Sequence, residues 1–218
     1  WSMGLCHALY WPLHAFEVTV RNTMADSIAD VYGDDWYENI PALSSYKGRQ
    51  ANKEVEHLRK AKEKLDDASR PYNHDNIVAA TTLGFWHGLL KQEYESKLYA
   101  PLFASFFQVT DREEAYKKVN QIKRLRNNVA HYEAILVFPD NKKLRELYKD
   151  YKLILKMIRW ICPETAGWVE NHSSAQFFAA WNCCPEFISG ALKLGADSSE
   201  DEGNSNKWTW FSQTGPLS

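Results

Sequence analysis

Apolar residues recur at three- and four-residue spacings along almost the whole chain, and no stretch alternates as a strand would. Leu5, Leu9, Leu13, Phe16, Val20, Met24 and Ile28 form the first such stripe, and Gly33 is placed to stop it. Pro12 falls inside the stripe, so it either kinks that helix or marks its true start. The chain opens within this helical pattern, which leads us to expect further residues upstream. Trp36, Tyr37, Ile40 and Leu43 suggest a short, partly ordered connection. The segment 50–67 is rich in charge and reads as a mostly solvated helix, ended by Arg70-Pro71. Asn73 or Asp75 could cap the next helix, which carries Ile77, Val78, Leu83, Phe85, Trp86 and Leu89. An aromatic-rich helical piece follows over 98–107.

Asp111 is the expected cap of the clearest helix, whose stripe is Ala115, Val119, Ile122, Leu125, Val129, Tyr132 and Leu136, with Pro139 as its stop. Leu144, Leu147, Tyr151, Ile154, Leu155, Ile158 and Ile161 mark another helix, ended by Pro163. Two shorter helical segments are expected over 175–181 and 186–194. From Ala196 the chain turns polar and acidic and reads as a flexible tail. The pattern predicts an all-α bundle over 1–195 and a tail over 196–218.

Composition narrows the picture further. The chain has 218 residues and a formal net charge of −2, so any attraction for nucleic acid must be local. Nine Trp argue for cores or interfaces built on large aromatics. No apolar run is long enough for a spanning helix, because His7, Pro12, His14 and Glu17 interrupt the longest candidate. No signal peptide is evident, and a cytoplasmic protein without membrane contact is expected. Cys6, Cys162, Cys183 and Cys184 make no C-x-x-C, and their spacings with the His residues assemble no zinc pattern. They read as reduced thiols, and no metal or cofactor is expected.

The candidate chemistry lies in Arg126-Asn127-Asn128-Val129-Ala130-His131. At roughly 100° per residue from Ile122, Arg126 falls near +40°, on the edge of the apolar stripe, Asn127 near 140° and His131 near 180°. His131 therefore points away from its own helix's core, as a solvated surface His or a reactive one. A charged residue at a core edge needs a partner or a polar pocket. An imidazole can move protons near neutral pH, and a guanidinium can steady a phosphate. That pair suits RNA cleavage in which the 2′-OH is the nucleophile. Glu17 and Arg21 form an i, i+4 pair that is either a structural ion pair or a device that organises the catalytic helix or touches phosphate. Arg112, Lys117, Lys118, Lys123, Arg124 and Arg126 enrich one helix in positive charge, either as a solvated face or as a phosphate track. Phe85, Trp86 and His87 read chiefly as core.

The run Leu125-Arg126-Asn127-Asn128-Val129-Ala130-His131-Tyr132-Glu133 resembles the L-R-N-x-V-A-H-x-E segment of Abi-like (abortive-infection) proteins, and Arg126 with His131 resembles the R-x4-6-H motif of HEPN domains. Leu83-Gly84-Phe85-Trp86-His87-Gly88-Leu89-Leu90 is similar to the family's G-F-W-x-x-L signature, and Phe16 to Asn22 to its E-x-x-x-R-N helix. The resemblance spans about 5–170. Asn128, Tyr132 and Ala134 depart from an Arg, a His and a Pro common in the family run. Glu133 stands where some HEPN toxins carry a Tyr that a partner adenylylates. The resemblance implies a metal-independent endoribonuclease toxin of antiphage defence, with Arg126 and His131 catalytic. Asn127, Asn128, Glu17, Arg21, Lys123 and Arg124 would support the site or bind RNA. It also implies a homodimer, since one chain carries one motif, and allows a small structured RNA or a protein as silencer. A non-catalytic RNA-binding or scaffold protein is the competing expectation.

Overall fold

The computed structural model describes residues 2–45, 52–108, 111–131 and 141–182, and all of its regular structure is helical. Helix α1 (Ser2–Tyr32) is followed by α2 (Trp36–Leu43), α3 (Asn52–Asp67), α4 (His74–Ala80) and α5 (Leu83–Gly88). A 3₁₀ turn (Gln92–Tyr94) leads into a π-helical stretch (Glu95–Phe103) that runs on into α6 (Ala104–Phe107). Helices α7 (Arg112–Ala130), α8 (Asn141–Ile161) and α9 (Pro163–Asn182) complete the described chain. The all-α class expected from periodicity is the class observed.

Helix α1 is the central element. Its apolar stripe is fully buried, and it packs on α4, α5, α7, α8 and α9. It continues through Pro12 from Ser2, so the proline does not mark the helix start. Gly33 ends it at φ 80°, a left-handed position that favours glycine, with its N–H on Ala29 O at 2.8 Å. Asn73 accepts from the Asn76 N–H and Asp111 from the Glu113 N–H, both at 2.9 Å, so α4 and α7 are capped by side chains. The buried face of α7 is Ala115, Val119, Ile122, Leu125 and Val129.

Three expectations need correction. The segment around Trp36 is a helix with Trp36, Tyr37, Ile40 and Leu43 all buried, not a loose connection. Trp36 sits against Phe85 and Trp86, which confirms those rings as core. Helix α3 is not simply solvated: Leu58, Ala61, Leu65 and the carboxylate-bearing Glu54 are buried. Finally, α9 is one helix of 20 residues. Pro163 begins it, because a first-turn proline loses no hydrogen bond there. Tyr132, Leu136, Pro139, the expected segment over 186–194 and the tail over 196–218 lie outside the described residues.

Candidate functional site

Arg126 meets α1 and α5 through one carboxylate. Its Nε donates to Glu17 Oε2 at 2.9 Å, and Glu17 Oε1 accepts the Leu83 N–H at 3.2 Å. Leu83 is the first residue of α5, whose preceding Thr82 makes no side-chain cap. Glu17 therefore supplies the missing acceptor and places negative charge at that helix start. The Glu17 side chain is 11% exposed and that of Arg126 37%. The expected Glu17–Arg21 pair is thus replaced by a tertiary one, because a buried carboxylate gains more from a guanidinium and an orphan N–H together than from a neighbour on its own helix. Arg21 Nε instead bonds Asn22 Oδ1 at 3.2 Å, beside His74 and Asp75 in a separate depression.

A cavity of about 70 Å³ opens beside the pair, lined by Tyr10, His14, Glu17 and Arg126 above Leu13, Val129 and Ala130. Tyr10 and His14 were not singled out by sequence reasoning. Their signal was present: residues 10, 14 and 17 share one face of a helix. His131 does not line this cavity. It is the exposed residue that closes α7, with its backbone N–H on Asn127 O at 2.9 Å. No hydrogen bond or ion pair of its ring occurs among the described residues, and none joins it to Arg126.

The other named residues disperse. Asn127 and Asn128 are exposed. Arg124 and Asn128 line an open groove of about 580 Å³ between α7 and α8, with Lys117, Gln121 and Lys143. Residues 117, 121, 124 and 128 share the face of α7 that lines this groove, and His131, which closes the helix, follows three residues after Asn128. Lys123 turns inward, its Nζ 3.0 Å from His87 Nδ1. Burial, helped by nearby Lys53, Lys91 and Arg124, lowers the Lys123 pKa. Burial first, and then the Lys123 charge, hold His87 down to about 4. Arg112 donates to Leu90 O at 2.8 Å, and Lys117 and Lys118 pair with Glu113 and Glu114. The cations of α7 thus point to several faces rather than along one track.

A second buried polar group lies behind α7. Lys91 Nζ is 2.7 Å from Glu54 Oε1, and Gly88 lets the Glu54 carboxylate lie directly over the α5 backbone. Burial raises the pKa values of Glu93 and Tyr94. Among the described residues, no group of three or more His, Cys, Asp or Glu is placed to hold a metal ion. Cys6 is buried and Cys162 half-buried, while Cys183 and Cys184 lie outside the described residues. No described helix is long and apolar enough to cross a membrane. No family model, no curated protein and no solved structure matches this chain.

Proposed function

We propose that the chain is a metal-independent endoribonuclease of the HEPN type, similar to Abi-like abortive-infection toxins, with Arg126 and His131 as its reactive pair. The observation that carries this reading is the state of Arg126. A buried carboxylate holds its Nε, while the side chain remains more than a third exposed beside a cavity, five residues ahead of an exposed imidazole. The remaining guanidinium N–H groups can bind the oxygens of a phosphodiester. The 2′-OH of the RNA attacks the adjacent phosphorus and the bond from phosphorus to the 5′ oxygen breaks. Imidazole removes the 2′ proton or delivers one to the leaving oxygen. The products are a 2′,3′-cyclic phosphate and a 5′-hydroxyl.

His131 lies outside the Arg126 cavity of its own chain, which favours a homodimer in which two α7 ends approach each other. A cytoplasmic location and a silencing RNA or protein belong to the same proposal. One observation favours a second reading, a non-catalytic RNA-binding or scaffold protein: Glu17 already neutralises Arg126, as a purely structural ion pair would.

The experiment is cleavage of cellular RNA by purified protein in EDTA, with end mapping, for wild type and His131→Ala. Cyclic-phosphate ends that vanish in the folded variant are expected. An absolute need for a divalent cation, or near-wild-type cleavage by His131→Ala, overturns the assignment. Sedimentation at micromolar concentration should show a dimer, and a monomer that cleaves would refute the dimeric site.

A further inference from the structure

Helix α8 carries Lys142, Arg145, Lys149, Lys152 and Lys156, all exposed. Their spacings of three and four residues place them within a band of roughly 80°. From first to last the stripe rises about 21 Å along the helix axis. None of the five is in an ion pair among the described residues, unlike Lys117, Lys118 and Lys91. Lys152 and Lys156 rest over the Tyr148 and Trp160 rings, at 5.9 and 5.3 Å from their centroids. The helix's two acids lie to one side of the stripe. Asp150 accepts from Gln121 across the α7–α8 groove at 2.5 Å, and Glu146 lines that same groove. The opposite face of α8 is buried against α1, α7 and α9.

We propose that this face of α8 is a track for the phosphate backbone of single-stranded RNA. It borders the α7–α8 groove, whose α7 wall ends at Asn128, three residues before His131. The proposal rests on the nuclease reading for the identity of the polyanion, and on the stripe for its place. In a chain of net charge −2, five cations on one helix face, none of them in an ion pair among the described residues, concentrate positive potential locally. A row of cations about 21 Å long matches roughly six stacked nucleotides at ~3.4 Å each. An anionic membrane is the less favoured partner. Surface-lying helices need an apolar face to insert, and the large exposed apolar residues among those described, Met3, Tyr10, Trp11, Val31, Tyr72 and Trp168, are all on other elements.

The test reads binding separately from cleavage. A fluorescein-labelled oligouridine is titrated into the His131→Ala protein at several salt concentrations. With five phosphate contacts the slope of log K against log salt should be about −3.5, a loss of roughly 100-fold between 50 and 200 mM salt. The added substitutions Lys149→Gln, Lys152→Gln and Lys156→Gln should bring the slope to about −1.4. These side chains are exposed, and thermal unfolding confirms that the variant is folded. An unchanged slope in the folded variant overturns the track even if wild-type protein cleaves RNA. A lowered slope with no cleavage by wild type upholds the track and removes the nuclease reading. Oligouridine that fails to bind, or phosphatidylserine vesicles that bind more tightly through the same lysines, also overturns it.

Discussion

Glu17→Gln and Arg126→Met, made singly and together, measure the tie that fixes the guanidinium. Glu17→Gln keeps an oxygen for the Leu83 N–H but removes the charge that faces Arg126. Arg126 is 37% exposed and can be rehydrated, so the loss falls at the lower end for a charged hydrogen bond, about 1.5–2 kcal/mol. Arg126→Met strands a carboxylate that is 11% exposed and keeps only one backbone donor, at a cost of about 3 kcal/mol. The double variant removes both charges together, so it should cost about 3 kcal/mol rather than the sum of the two, a coupling of about 1.5–2 kcal/mol. Urea unfolding at neutral pH reads all four proteins, with a constant m-value as the condition for comparison. Additivity within about 0.5 kcal/mol, or Arg126→Met costing less than Glu17→Gln, would refute the buried-carboxylate argument.

Gly88→Ala places a methyl group on the Glu54 carboxylate, which is 1% exposed and held by Lys91, and should cost about 1–3 kcal/mol; Glu54→Ala in the same chain should recover part of it by calorimetry. His87 stays neutral to about 4 when folded but takes a proton near 6.5 when unfolded. The unfolded chain therefore binds more protons in that window, and stability should fall by on the order of 2–3 kcal/mol as pH drops from 6.5 to 4. Denaturation curves of His87→Gln against wild type isolate this slope, and parallel profiles would exclude it. His14→Ala should cleave RNA within about threefold of wild type while His131→Ala loses roughly 10²- to 10⁴-fold, and the reverse order would move the proton-transfer role to His14.

The sequence was most legible where one local rule decides the outcome. The α7 stripe and its Asp111 cap need only a period near 3.6 and one side-chain acceptor within a turn. Helix α2 was missed because eight residues containing Pro41 and clustered aromatics give too short a pattern; its stability comes from Trp36 packing on Phe85 and Trp86. Pro163 is the expected stop of α8, which ends at Ile161, and it also starts α9, a role the apolar stripe before it does not reveal, since the same fixed φ serves both. The Glu17–Arg126 pair spans 109 residues, and no spacing rule reaches that far. The basic stripe of α8 is legible in the spacing of Lys142, Arg145, Lys149, Lys152 and Lys156, although the apolar positions dominate that segment's pattern.

The position of α1 has a consequence for how the protein is made. Its stripe from Leu5 to Ile28 is covered largely by α8 and α9, and Pro163 lies about 130 residues beyond Tyr32. At roughly 5–20 residues per second, the ribosome needs on the order of 10 s to deliver those partners. Throughout that interval α1 offers a long apolar face to solvent or to a chaperone, and the bundle cannot close until α9 has emerged. A chain stopped before Pro163 would leave that face uncovered, so premature termination should yield aggregates rather than a smaller folded protein.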